Sequence, residues 1–378
     1  MRICFLKKIR LVILCYLLCS LSHLIDEAQA QEFIRLKTVI GVNSNISAGI
    51  CSVEQLARIA KESNVRVLIL TDQALARGEY GIWPFQRLIR KVEERDCILK
   101  FGAKRYLDLV DKINRKNPEV LIIPACEVAP FYWWQGSFWE GNLTANDWSK
   151  QLIVIGLDNA KDYRNLPIVS NKYKRLRYGF RSLFQLWSIL GIILGFYLFG
   201  RCKFKYIDDL GRDLSCPNLL AKRIGVVVII VSTMFFINNF PFTIPDEFSP
   251  YHGDKGALPY QRLIDYVNLH NALTFWMSVD SSIQNNISGV NFITLPHKED
   301  LFRTQGYTGF SVIYGDTRTM HNPGAEWDEL LNDYCLGKRN KPLWGIGETG
   351  FQGASKIDYI HNVLFLKEFN KKGILNAL

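Results

Sequence analysis

The stretch LKTVIGVNSNISAGICSVEQLARIAKESNVRVLIL, residues 36–70, contains the pattern that decides the fold class. The apolar run at its start predicts a strand, SVEQLARIAKES (52–63) has the spacing of an amphipathic helix, and VLIL (67–70) predicts a second strand. A strand, a helix and another strand form the repeating unit of parallel sheets and barrels. The segment GVNSNISAG (41–49), which has no titratable side chain, therefore lies at a strand–helix junction, a usual position for functional groups.

The same alternation continues along the chain in two separate parts. Residues 31–182 contain further predicted strands, VLIIP (120–124) and QLIVIGL (151–157), with a helical pattern between the first of these and VLIL. Residues 244–378 have the same α/β character, with predicted strands and helices including LTFWMSV, FSVIYG, AEWDELLNDYCLGKR and LWGIG. Neither part alone contains enough strands for a barrel, so we predict one α/β domain that is interrupted in the middle.

Two long apolar segments lie at the interruption. LFQLWSILGIILGFYLFG (183–200) and IGVVVIIVSTMFFINNFPF (224–242) carry no charge, and each is long enough to span a bilayer. We predict a two-helix transmembrane hairpin over residues 183–243, with a cytoplasmic loop at 201–223. Two spans return the chain to its original side, which places both parts of the α/β domain outside the cytoplasm. The alternative is a pair of buried core helices.

The N-terminus has the three parts of an export signal. Basic residues precede an apolar stretch from Leu11, and Ala28-Gln29-Ala30 forms a small-residue cleavage pattern. We predict a signal peptide over residues 1–30, and the alternative is an uncleaved N-terminal anchor. The net charge of +10 indicates a membrane-surface or topology signal, and no nucleic-acid partner is expected because no motif that reads DNA or RNA is present. Nine Cys without a CxxC pair make a thiolate zinc site improbable.

Four stretches at predicted strand ends carry a family resemblance. GVNSNISAG, LTDQ (70–73), IIPACEVAP (122–130) and WGIGETGFQG (344–353) resemble, in order and spacing, the PHP (polymerase and histidinol phosphatase) family. YGIWPFQRLIRK, PFYWWQGSFW, NLTANDW and EWDELL are similar to a membrane-associated bacterial group of that family. The resemblance implies a distorted (βα)7 barrel whose strand-end side chains bind two or three metal ions, which activate water against a phosphate ester.

The family's metal ligands are mostly replaced in this chain. Of the ligands that the resemblance implies, only Glu127 is retained, while Ser44, Thr71 and Asp72 match residues that support the ligands. None of the five histidines after residue 31 lies before His252. Asn and Gln amides are weak ligands beside imidazole and carboxylate, so no cofactor is expected. The former ligand positions are Gly41, Asn43, Ala48, Gln73, Ser149 or Gln151, Ser278, Gly350 and Gln352.

Three functions remain open from the sequence. The leading prediction is a membrane-anchored PHP-like pseudoenzyme, with phosphoesterase activity lost or impaired, whose partner is the lipid bilayer. The first alternative is an active enzyme that holds Mn, Zn or Fe with Glu127, Asp72 and carboxylates from elsewhere; Asp265 and Glu348 qualify only if they converge on Glu127. The second alternative is a metal-independent module that binds phosphate with backbone N–H groups of the 41–49 loop. No protein partner is predicted.

Some features have more than one interpretation. The aromatic run FYWWQGSFW (131–139) fits a ligand cleft, a membrane interface or a packing cluster. His252 and His297 are predicted to be exposed or structurally satisfied histidines. The resemblance also implies a further strand after Leu378, so the second part of the domain is expected to be truncated at its C-terminus.

Overall fold

The computed structural model describes residues 33–201, 203–207, 213–243, 246–287, 289–315 and 319–378. The predicted signal peptide lies outside the described residues. The strands are β1 Ile34–Val42, β2 Val67–Leu70, β3 Arg77–Gly81, β4 Arg90–Glu94, β5 Leu121–Val128, β6 Trp133–Gln135, β7 Thr144–Asn146, β8 Leu152–Ile155, β9 Lys203–Ile207, β10 Asp213–Pro217, β11 Leu273–Trp276, β12 Ile283–Ile287, β13 Val290–Thr294, β14 Gly309–Tyr314, β15 Trp344–Glu348 and β16 Asn362–Leu366.

The helices alternate with these strands through much of the chain. They are α1 Val53–Glu62, α2 Ile98–Phe101, α3 Ala103–Lys116, α4 Ala160–Arg164, α5 Phe180–Leu183, a 3-10 helix Phe184–Leu186, α6 Trp187–Arg201, α7 Leu219–Asn239, α8 Leu258–Leu269, α9 Asp300–Arg303, α10 Glu326–Cys335 and α11 Lys371–Ala377. The chain divides into two compact units, Lys37–Asn362 and a smaller one of Met1–Leu36 with Val363–Leu378. In its described part the smaller unit contains the start of β1, most of β16 and α11.

Seven strands of the larger unit form a barrel-like ring in sequence order. Their hydrogen-bonded order is β15-β14-β11-β8-β5-β2-β1. The chain just after β15 returns to the end of β1: Thr349 N donates to Ile40 O at 2.9 Å, and Phe351 N donates to Gly41 O at 2.9 Å. These bonds join the two ends of the seven-strand order. The predicted α/β barrel is therefore confirmed in its coarse architecture.

The ring departs from a regular parallel barrel at β8. This strand runs antiparallel to both of its neighbours, with Val154 opposite Cys126 of β5 and Thr274 of β11. The other strand pairs of the ring, such as β1 with β2 and β14 with β15, are parallel. Because β8 is reversed, the residues just before it reach the edge where its neighbours end.

Local sequence explains the elements that build the ring. All four residues of β2 and of β8 are buried, as expected for strands covered on both faces. Helix α1 begins at Ser52, whose Oγ accepts from Gln55 N at 3.2 Å while Gln55 Oε1 accepts from Ser52 N at 2.8 Å. This capping box fixes the helix start, and Val53, Leu56, Ala57 and Ala60 form its buried face.

The predicted membrane hairpin forms a pair of apolar helices. In the described residues, α7 is the helix long and apolar enough to cross a membrane by length and composition; the first segment gives a shorter apolar helix, Phe184–Gly200. A two-helix transmembrane hairpin is therefore not confirmed and stays a prediction. The alternative of buried core helices does not fit, because 17% of the most apolar window of α7 is buried.

Small residues allow the two helices to approach closely. A Cβ added at Gly195 of α6 would lie 2.9 Å from Gly225 O, and one added at Gly191 would lie 2.2 Å from Ser232 Oγ. Close contact through small residues is a common way for helices to associate in lipid. The two ends of the apolar helix pair lie next to each other, since Gln185 Nε2 donates to Thr243 O at 2.9 Å.

Candidate functional site

A group of buried polar side chains occupies one edge of the ring, at the ends of β1, β2, β5 and β15. Asn43 follows β1, Asp72 follows β2, Glu127 lies near the end of β5 and Glu348 ends β15. All four side chains are buried. Because parallel strands end at the same edge, residues distant in sequence meet here. This is the place where the sequence predicted the functional loop.

Asp72 holds the 43–49 loop in place. Its Oδ1 accepts from Ser44 N at 2.8 Å and from Ser47 Oγ at 2.6 Å, and its Oδ2 accepts from Ser44 Oγ at 2.7 Å. Burial raises the pKa of Asp72, and the serine hydrogen bonds oppose that rise. With both oxygens engaged by the loop, Asp72 is a structural acceptor, as its position in the sequence suggested.

Glu127 is surrounded by hydrogen-bond donors. Its Oε1 accepts from Thr71 Oγ1 at 2.9 Å and from Asn43 Nδ2 at 3.2 Å. The same Asn43 nitrogen donates to Thr71 O at 2.7 Å. Asn43, at a position where the sequence resemblance implies a ligand, thus turns its amide N–H groups toward Glu127 and Thr71. An N–H group directs a proton at the oxygen, where a metal ligand would direct a lone pair at a shared ion.

Glu348 is the second carboxyl of the site. Ser311 Oγ donates to its Oε2 at 2.7 Å. Burial raises the pKa of Glu348 to about 6. Burial and, after it, the charge of Glu348 raise the pKa of Glu127 to about 8. Both glutamates are buried at this edge of the ring, and at neutral pH Glu127 holds a proton.

Asp265 does not join this site. Its Oδ1 accepts from Gln261 Nε2 at 2.8 Å on an exposed face of α8. The condition set for Asp265 as an additional ligand is not met, because Asp265 is exposed on α8 whereas Glu127 is buried. The altered-enzyme alternative therefore keeps Glu127 and Glu348, the two buried glutamates at this edge.

At the other positions predicted as former ligands, the contacts in the described structure are made mainly by backbone atoms. Gln73 forms a backbone bridge with Glu127, and Gln352 O accepts from Ile50 N at 3.0 Å. Ser149 N donates to Thr294 Oγ1 at 2.9 Å, while Gln151 O accepts from Met277 N at 3.2 Å. In the described part of the chain, the side-chain donors to the Glu127 carboxyl are Asn43 and Thr71, and the side chains of Ser149, Gln151 and Ser278 are not among them. Ala48 lies in the Ser44–Gly49 turn, and Gly350 has a φ of 58°.

Gly41 is fixed by the geometry of the site. Its φ is 87°, and a Cβ added there would lie 2.5 Å from Glu348 Cγ. Residues with a side chain rarely adopt this backbone conformation, and Glu348 fills the space that a side chain at position 41 would need. Glycine is therefore required at position 41 in this structure.

We expect Gly41→Ala to destabilise the chain by about 2 kcal/mol more than Gly141→Ala. Gly141 is a matched control, because its φ of 66° is also positive but a Cβ added there meets nothing within 4 Å. Urea denaturation of both variants in mild detergent measures the difference. Equal destabilisation would show that Glu348 does not approach Gly41 closely.

The donor set does not fit the metal centre that the family resemblance implies. The described residues include no group of three or more His, Cys, Asp or Glu that could hold a metal ion. Asp72 is engaged by serines, and Glu127 receives two hydrogen bonds from neutral donors. Two metal ions close together need several anionic or imidazole ligands, which Glu127 and Glu348 alone do not supply.

A buried ion pair beside this edge was missed by the sequence analysis. Lys150 lies just before β8 and forms an ion pair with Asp300, and both side chains are buried. The Lys150 ammonium also lies 4.5 Å from the centre of the Tyr260 ring. No motif links residues 150 and 300, so the pair could be found only from the three-dimensional structure.

His297 lies close to this ion pair. Its N donates to Val279 O at 2.7 Å, and its Nδ1 lies 3.0 Å from Leu295 O. Burial lowers the pKa of His297 to about 4, so the ring is neutral at pH 7. Nδ1 has a hydrogen-bond partner, whereas Nε2 has none in the described structure. The expectation of a histidine with satisfied hydrogen bonds is therefore met at one ring nitrogen only.

The fold and the site together define an α/β barrel with a buried pair of acids at one edge. Comparison with known proteins gives no match to a family model and none to a curated protein. Several solved structures are similar at low identity. The chain resembles a two-domain protein from Bacteroides vulgatus that contains a predicted PHP-like metal-dependent phosphoesterase, with TM-score 0.38 and 13% identity over 92% of this chain and 63% of that one.

Two other similar structures belong to related classes. One is a metal-dependent phosphoesterase from Bifidobacterium adolescentis, with TM-score 0.37 and 11% identity, covering 84% of this chain and 87% of that one. The other is an amidohydrolase from Chromobacterium violaceum with bound sulfate and no metal, with TM-score 0.36 and 10% identity over 86% and 90% of the two chains. Likenesses at these TM-scores do not establish a family, so the PHP assignment rests on the sequence motifs.

Proposed function

We propose that this chain is a membrane-anchored, PHP-like pseudoenzyme in which protonated Glu127 and its hydrogen-bond donors replace the metal-ion centre. The observation that carries the proposal is the environment of Glu127, whose carboxyl accepts from Asn43 and Thr71. A protonated carboxyl with donors around it satisfies its own hydrogen bonds without a cation. The anchoring part is supported by the exposed apolar surface of α7.

The metal-independent phosphate module is less well supported. In the 43–50 segment, the N–H groups of Asn43, Asn45, Ser47, Gly49 and Ile50 donate to backbone oxygens within the protein. Of the other N–H groups in this segment, that of Ser44 donates to Asp72 and that of Ile46 donates to Ser44 Oγ. A phosphate site needs several free N–H groups pointing at one position, and this loop uses nearly all of them internally.

Metal content tests the proposed function directly. We expect the full chain, expressed with manganese, zinc and iron and purified in detergent, to contain far less than one metal per chain by elemental mass spectrometry. Glu127→Gln is the matched control, and it should give the same metal content and the same absence of phosphomonoester turnover. One metal per wild-type chain that is lost in Glu127→Gln would contradict the proposal and support the altered enzyme.

A further inference from the structure

An exposed aromatic surface lies where the apolar helix pair meets the α/β domain. It is formed by the loop 82–89 between β3 and β4, by residues 174–187 and by residues 235–242, and we call it the belt surface. The Trp83 side chain is 80% exposed and Phe180 is 75% exposed. Phe184, Trp187 and Phe240 are exposed as well. A contiguous patch of exposed aromatic side chains is unusual on a surface that faces only water.

The 82–89 loop is attached to the end of α7. Asn238 Oδ1 accepts from Arg87 N at 2.9 Å and from Leu88 N at 3.1 Å. The ring of Phe85 lies 4.8 Å from the ring of Phe235, and Trp187 lies 5.0 Å from Phe235 on the other helix. These contacts place the loop at the same level as one end of the apolar helices.

Positive charge accompanies the aromatic side chains. Lys174 forms an ion pair with Asp246, and burial together with the charges of Arg177 and Arg87 lowers the pKa of Lys174 to about 8. The three segments that form the belt surface contain five Lys or Arg and no Asp or Glu. Arg87 and Arg177 are exposed, and Arg175 adds a further exposed charge in the same segment.

Trp, Tyr and Phe beside Lys and Arg are typical of the water–lipid boundary. Aromatic rings enter the headgroup layer, while cations next to a membrane helix attract anionic lipids. The continuity of the belt surface with the end of α7 places it where such a layer would lie. Its excess of cations matches phosphate-bearing headgroups.

We propose that the belt surface, led by the 82–89 loop, inserts into the headgroup layer of a bilayer that contains anionic lipid. The insertion adds a second, peripheral attachment to the helix pair and fixes the orientation of the α/β domain relative to the membrane. It rests on the proposed function only in requiring that the helix pair lies in the bilayer.

Spin labels on the full chain in lipid nanodiscs test this proposal. The labels are attached at Leu88→Cys in the belt surface, at Val227→Cys in α7 and at Ile50→Cys, another exposed apolar side chain, in the loop before α1. Accessible native cysteines are first replaced by serine. Power saturation compares collisions of each label with oxygen, which enters lipid, and with a water-soluble nickel chelate. The nanodiscs contain phosphatidylcholine alone or with phosphatidylglycerol.

We expect the label at 88 to be protected from nickel severalfold relative to the label at 50, and more strongly when phosphatidylglycerol is present. Arg87→Gln with Arg177→Gln should remove the extra protection that phosphatidylglycerol gives, while Arg115→Gln on α3 should not. A label at 88 as nickel-accessible as that at 50, with 227 protected, would overturn this proposal and leave the anchoring intact. A nickel-accessible label at 227 would overturn the anchoring itself.

Discussion

Glu127→Gln is expected to make the chain more stable than the wild type above pH 8 while leaving stability near pH 5 almost unchanged. Burial and the charge of Glu348 raise the pKa of Glu127 to about 8 in the folded chain, whereas the pKa of a glutamate exposed to water is 4.5. As the pH rises above 4.5, the unfolded chain loses this proton first. The folded wild type therefore loses stability progressively up to about pH 8, and no more beyond it.

The size of this effect follows from the difference between the two pKa values. One pKa unit corresponds to about 1.4 kcal/mol, so a pKa rise from 4.5 to about 8 should cost the wild type about 5 kcal/mol through Glu127 across this range. Glu348, with its pKa raised to about 6, adds a smaller loss between pH 4.5 and 6. Gln keeps an oxygen for the Thr71 and Asn43 hydrogen bonds and has no proton to lose.

Thermal unfolding in detergent from pH 5 to pH 9 measures this prediction. Glu247→Gln is the control, since Glu247 is exposed and bonded to Arg262, which lowers its pKa. The control variant should follow the wild-type pH profile between pH 6 and pH 8. If Glu127→Gln loses as much stability as the wild type over that range, the carboxyl is not protonated in the folded chain and the proposed site is wrong.

Lys150→Met is expected to cost about 3–5 kcal/mol of unfolding free energy, because it leaves Asp300 buried without its cation. Both side chains of this pair are buried, so water cannot replace the lost partner. Asp300 lies at the start of α9, and Thr304 Oγ1 donates to its backbone oxygen at 2.7 Å. Loss of the pair should therefore loosen α9 together with the segment before β8.

The double variant Lys150→Met with Asp300→Asn should recover more than half of that loss, since it removes the unpaired charge as well. Lys104→Met is the matched surface control: Lys104 pairs with Asp108 across one turn of α3, and both side chains are exposed. Its melting temperature should equal that of the wild type. A double variant as unstable as Lys150→Met would show that the charge of Asp300 is not the cause.

The sequence predicted the elements whose periodicity is strong. The strand–helix–strand pattern of residues 36–70 is confirmed as β1, α1 and β2, because apolar spacing alone distinguishes a buried strand from an amphipathic helix. The direction of β8 could not be predicted, since the run Leu152–Ile155 is equally apolar in either direction. The hairpin of β3 and β4 was missed because both strands are short and rich in charged residues.

The candidate site was predicted in part for the same physical reasons. Ser44, Thr71, Asp72 and Glu127 lie directly after or within predicted strands, so their meeting at one edge follows from the topology. Sequence could not show that Asn43 turns its N–H groups toward Glu127, because an amide can present either end. Nor could it place Glu348 against Gly41, since that contact joins residues more than 300 positions apart in the chain.

The hydrogen bond between Gln185 and Thr243 shows where the apolar helix pair joins the α/β domain. The pair leaves the domain and returns to it at neighbouring points, and β8 pairs with β11 across the interruption. A segment whose two ends lie together is a peripheral insertion, since its length does not affect the order of the seven strands. The architecture of the ring is therefore independent of the helix pair.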